Sequence, residues 1–261
     1  MRLKMAVGVA AVVAWSAGAG AGPAARVRQA DGASVAGAES FDSAKTYFDR
    51  ARRLGFLASG ESAPYVLKAE FTTRGSSGAV ETGTYTDTWM GDTKWRREAV
   101  LGKSQFVRSE NGKKRYRVAE GPDADLLQFV LTVMEPIPAS DSVREADWTF
   151  KREAVGDVAA VRVATGHEDA DGKPDPKDFN AYWFDETGQL VKSYGNGMET
   201  RRTDFRDFNG VKVARRVEVL LANKVGMRIS VTEVGPAGRV DSHMFTIKRH
   251  DWVRQATSEV R

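Results

Sequence analysis

Apolar residues recur along this chain with two different periods, and the switches between them mark out its elements. From Ser40 to Gly55, Phe41, Ala44, Phe48, Ala51 and Leu54 fall at helical spacing, while Asp42, Lys45, Asp49 and Arg52 take the other face. This predicts an amphipathic helix with Ser40 as its N-cap. After Pro64 the period becomes two, as Tyr65, Leu67, Ala69 and Phe71 alternate with Lys68, Glu70 and Thr72. Further strands are predicted over Gly83 to Met90, Trp95 to Leu101, Gln105 to Arg108 and Arg115 to Val118. Gly91-Asp92, Gly102 and Asn111-Gly112 supply the turns, the last read as a type I′ hairpin. Strands joined so tightly are antiparallel neighbours, so the first half reads as a meander.

The alternation breaks between Asp123 and Glu135, where Leu126, Leu127, Val130, Leu131 and Met134 fit a second helix that Pro136 and Pro138 stop. Apolar residues cover most of its circumference, which calls for cover on more than one side and places it against or inside the curve of a sheet. Strands resume over Asp147 to Glu153, Val158 to Thr165, Phe179 to Phe184 and Leu190 to Tyr194. Asn209-Gly210 turns the chain into Val211, Val213, Val217, Val219 and Leu221, and Met227, Ile229 and Val231 alternate after Gly226. A short last strand is expected from His243 to Lys248. About ten strands with two helical interruptions predict a mainly β (α+β) fold: one large, curved antiparallel sheet with helices on a single face.

The N-terminus adds a destination. Arg2 and Lys4 precede the uncharged stretch Met5 to Ala14, and Ala19 and Ala21 sit where a signal peptidase needs small side chains, so residues 1–21 read as a secretory leader cut after Ala21. The apolar stretch is shorter than the roughly 20 residues a membrane-crossing helix needs, so no transmembrane segment is expected after cleavage. Residues 22–39, rich in Ala, Gly and Ser without periodicity, read as a flexible lead-in, and 40–261 as one domain. The chain has no cysteine, which excludes disulfides and a lipidated N-terminus and leaves stability to packing. Losing Arg2 and Lys4 with the leader brings the formal net charge from +4 to about +2, too even a balance for a nucleic-acid-binding surface. The cations of Lys113, Lys114, Arg115 and Arg117 read as a solvated hairpin end.

No catalytic constellation stands out. His167, His243 and His250 lack the partners of a zinc motif, and Asp241-Ser242-His243 resembles a triad only in letters. The acidic loop His167 to Asp178 lacks the third ligand and closing glutamate of a calcium loop. Phosphate-binding and dinucleotide-binding glycine patterns are absent, so neither cofactor nor metal is expected and an enzyme is disfavoured. The aromatics Phe71, Tyr85, Trp89, Trp95, Trp148 and Trp183 recur on strands. They read either as sheet core or as the wall of a cavity lidded by Leu127, Val130, Leu131 and Met134.

Two hairpins carry a family resemblance. Ala181-Tyr182-Trp183-Phe184-Asp185-Glu186-Thr187-Gly188-Gln189-Leu190 and Asp207-Phe208-Asn209-Gly210-Val211-Lys212-Val213-Ala214 resemble those of the periplasmic LolA/LolB lipoprotein-sorting proteins, with Ala214 where proline is usual. Thr84 to Trp89 followed by Trp95-Arg96-Arg97-Glu98 is similar to a subgroup sometimes fused to TonB-type C-terminal domains. The resemblance implies a half-open barrel whose concave face is lidded by helices and takes up acyl chains. It also implies a periplasmic, non-catalytic binding module with a lipid or lipoprotein acyl chain as ligand. The alternative is a cell-envelope scaffold with a filled cavity and a protein partner.

Overall fold

Pairing in this protein joins the first strand to the last. The computed structural model describes residues 41–58, 62–135, 137–138, 143, 147–169 and 172–247; the predicted leader, lead-in, Ser40 and His250 lie outside these. Helix α1 (Ala44–Gly55) leads into β1 (Tyr65–Arg74), β2 (Val80–Trp89), β3 (Lys94–Leu101), β4 (Ser104–Asn111) and β5 (Lys114–Glu120). Helix α2 (Ala124–Met134) then crosses to β6 (Thr149–Val155), β7 (Val158–Thr165), β8 (Asn180–Asp185) and β9 (Leu190–Gly195). The chain returns through β10 (Met198–Phe208), β11 (Val211–Leu221) and β12 (Lys224–Pro236). Among the described residues these form a single antiparallel sheet in the order β5-β4-β3-β2-β1-β12-β11-β10-β9-β8-β7-β6, which does not close into a barrel. Its open edges are β5 and β6, and the connection carrying α2 runs from one to the other.

Each helix covers one half of the inner face. Helix α1 begins where Ser43 Oγ accepts from Thr46 N at 3.2 Å, three residues later than the pattern predicts, because Ser43 is the residue placed to cap. Its buried stripe of Ala44, Tyr47, Phe48 and Ala51 lies on the β6–β9 half. There Phe48 meets Trp148, Tyr182 and Phe184 edge-on at 5.0 to 5.5 Å. Helix α2 packs on β3, β4 and β5, burying Leu127, Val130, Leu131 and Val133. At its start, the Asp123 carboxylate accepts from Ser76 N at 2.6 Å and Ser104 Oγ at 3.3 Å. No helix among the described residues is long and apolar enough to cross a membrane.

Three local expectations are corrected. The predicted strand from His243 to Lys248 is instead a 3-10 turn over Ser242–Phe245, because Asp241 accepts from His243 N at 2.9 Å and so caps a turn. Phe245 anchors this segment to β3 and β4, where Ser109 Oγ donates to its carbonyl. At the β4–β5 hairpin the central residues are Gly112 and Lys113, and only Gly112 has a positive φ, so the turn is not type I′. Strand β10 was not expected at all.

The β11–β12 hairpin carries a removable strain. Its central residues, Ala222 and Asn223, have φ of 47° and 63°, the signature of a type I′ turn, and alanine tolerates the left-handed region poorly. Ala222→Gly should therefore raise stability by about 1 kcal/mol, a rise in Tm of roughly 2–4 °C by scanning calorimetry.

Candidate functional site

Residues of opposite character share the inner face of the first half of the sheet. Tyr85, Asp87 and Trp89 have the same parity on β2, and Trp95, Arg97 and Ala99 the same parity on β3, so a carboxylate and a guanidinium stand among aromatics. Register sets Asp87 opposite Arg97. Arg97 Nε donates to Asp87 Oδ2 at 3.1 Å, Tyr65 Oη donates to the same oxygen at 2.8 Å, and Arg97 also pairs with Glu135 at the end of α2. Arg108 Nη1 lies 3.9 Å from the other Glu135 oxygen. Burial pushes the Asp87 carboxyl above its usual range, opposed by the charge of Arg97 and the Tyr65 hydroxyl. Burial alone would lower the pKa of Arg97, but Asp87, together with Tyr85 and Tyr65, more than offsets that and keeps the guanidinium charged. Among the described residues neither Asp87 Oδ1 nor Gln189 Oε1 has a hydrogen-bond partner.

A second arginine reaches the same helix end from the other half of the sheet. Arg202, on β10, donates to the Val133 carbonyl and to Ser193 Oγ, each at 3.2 Å. The last carbonyls of a helix carry partial negative charge, so two cations converging there hold α2 down. Burial pushes the pKa of Arg202 down to about 10.

Two hollows flank these groups. One, of about 80 Å³, lies among the α1 end, Leu67, Tyr85, Asp87, Arg97, Gln189 and Val217. The other is a cleft of about 290 Å³ between α2 and β8–β10, lined by Phe129, Tyr182, Ser193, Tyr194, Met198 and Thr200 among others. Val133, Glu135, Ile137 and Arg202 line both.

The ten residues singled out from sequence are distributed unevenly. Phe71, Tyr85, Trp89, Leu127, Val130 and Leu131 meet in one buried cluster, with Trp95 and Met134 packed against it, so the inner face beneath α2 is filled. Trp148 belongs to the α1 cluster. Trp183 stands in a third, with Lys192 Nζ 4.2 Å over its ring, turned away from Tyr182 and Phe184. Tyr85 and Met134 border the smaller hollow, and none of the ten borders the cleft. The charged groups were missed, although a charge on the apolar parity of two facing strands was visible at Asp87 and Arg97.

The remaining candidates are structural. In the acidic loop, Asp169 and Asp175 accept from the backbone of Lys173 and Lys177. Among the described residues no group of three or more His, Cys, Asp or Glu is placed to hold a metal.

No protein-family model and no curated protein matches the sequence. Solved structures do resemble the fold. A LolA superfamily protein from Nitrosomonas europaea is 12% identical, with a TM-score of 0.45 over 79% of this chain and 99% of its own. A domain described as outer membrane lipoprotein-sorting, from Vibrio parahaemolyticus, is 7% identical, with a TM-score of 0.44 over 80% and 94%. The MucA/MucB complex of Pseudomonas aeruginosa is matched at 13% identity, with a TM-score of 0.33 over 78% of this chain and 61% of that one.

Proposed function

We propose that this chain is a periplasmic, non-catalytic binding module that shelters a hydrophobic ligand, such as a lipid or an acyl chain, in the cleft between α2 and β8–β10. One observation carries this reading: the helix bridging the two open sheet edges covers a filled face on one side and leaves a cleft of about 290 Å³ on the other. That volume is near the lower end of the range of small-ligand sites, roughly 300–1,000 Å³, and Phe129, Tyr194 and Met198 supply an apolar wall.

A second reading is a cell-envelope scaffold, favoured by the filled face beneath α2 and by the unpaired edges of β5 and β6. Protein purified from the cells that make it, sprayed under native conditions, should carry lipid mass, and the emptied protein should take up a fluorescent fatty acid. Recovery of empty protein that takes up no probe would leave the scaffold.

A further inference from the structure

Two arginines are buried on the inner face, and their partners differ. Arg97 has carboxylates on two sides, Asp87 and Glu135. Arg202 is 7% exposed and, among the described residues, bonds only to neutral oxygens, Ser193 Oγ and the Val133 carbonyl. A buried charge without a counter-ion costs several kcal/mol. The partial charge at the end of α2 offsets part of that cost, and its two bonds engage two of the five N–H groups of a guanidinium.

Arg202 borders the cleft, and its neighbours there form a polar end. Tyr182, Ser193 and Thr200 lie in one cross-strand row next to it and bring three hydroxyls, whereas Met198, one row farther from Arg202, and Phe129 of α2 are apolar. The carboxylate in the same wall, Glu135, is engaged by Arg97 and Arg108. A ligand with a negative head and an apolar tail would meet a cation and donors at one end and hydrocarbon at the other.

Building on the binding role proposed above, we infer that the cleft selects amphiphiles with an anionic head, carboxylate or phosphate, and that Arg202 is the group that pairs with that head. The ion pair replaces the missing counter-ion, so charge on the ligand contributes affinity that an uncharged ligand of the same length lacks. Desolvation lowers the pKa of the free guanidinium, and an anion beside it would reverse that shift.

The test compares dodecanoate, dodecyl phosphate and methyl dodecanoate by displacement of a fluorescent probe. A charge-assisted hydrogen bond is worth roughly 1.5–3 kcal/mol, so the wild-type protein should prefer either anion over the ester by about tenfold or more. Arg202→Gln keeps hydrogen bonding to Ser193 and Val133 without the charge. It should lose this preference, so that anion and ester bind the variant equally. Arg202→Lys should retain most of the preference. The tighter of the two anions identifies the head. Equal binding of anion and ester by the wild type, or a preference that survives Arg202→Gln, overturns this inference while leaving the binding role intact. Failure of all three to bind overturns both.

Discussion

Arg97→Met should destabilise the fold by about 3–5 kcal/mol at neutral pH, the largest effect expected of any single charge removal here. The substitution leaves the Asp87 carboxylate buried among Tyr65, Tyr85 and Trp89 with only the Tyr65 hydroxyl to stabilise it. The loss should shrink on acidification, and the sign follows from the direction of the shift. Burial already raises the Asp87 carboxyl, and removing Arg97 takes away the main influence opposing that rise. A carboxyl that binds its proton more tightly when folded favours the fold most below its unfolded pKa. It loses that contribution as pH climbs toward the folded value. Urea unfolding of both proteins between weakly acidic and neutral pH measures this difference. A cost below about 1 kcal/mol at neutral pH would mean that Asp87 is already protonated in the native protein. Adding Asp87→Leu should recover most of the loss, because an apolar pair of similar volume suits such a site as well as an ion pair does.

Thr200→Trp should reduce uptake of a fluorescent fatty acid by at least about tenfold, by occupying the cleft itself. Thr200 lies on β10 between Ser193 of β9 and Val219 of β11, and it borders the cleft, so a large ring there displaces ligand. Because the ring enters existing space, the variant's melting temperature should stay within a few degrees of wild type, which separates blocked binding from unfolding. Uptake at wild-type affinity would show that the hydrophobic ligand sits elsewhere.

The division of the chain into strands and two helices was legible because apolar alternation and helical spacing report directly on burial. Strand β10 shows where that signal fails. In Met198–Phe208 the buried residues are Thr200 and Arg202, both polar, so the strand has no apolar period to read even though all of it but Asp204 pairs with β11. The cleft was hidden for the same reason, since its wall draws on this strand and on Asn180 and Ser193. The aromatics and the α2 leucines were recognised as inward-facing, but sequence cannot tell an inward residue that touches its neighbour from one that borders a void. Phe71, Trp89 and Leu131 belong to one packed cluster and border neither hollow. The last segment misled because Phe245 is buried like a strand residue, whereas Asp241 directs the backbone into a turn.

The seam between β1 and β12 governs how this sheet can be assembled. Tyr65 faces Pro236, and Pro64 O accepts from Ala237 N, so the middle of the sheet joins residues more than a hundred positions apart while every other strand pairs with its sequence neighbour. A chain emerging N-terminus first can form β1–β5 and β6–β11 as two separate ribbons, but each keeps an unsatisfied inner edge until β12 arrives. Closure of so long a loop is entropically slow, so the rate-limiting event should be the docking of two preformed halves. A circular permutant opened in the connection after α2, with the two ends of the chain joined so that α1 and the Phe245 segment are kept, would make β12 and β1 sequence neighbours and should fold faster to the same sheet.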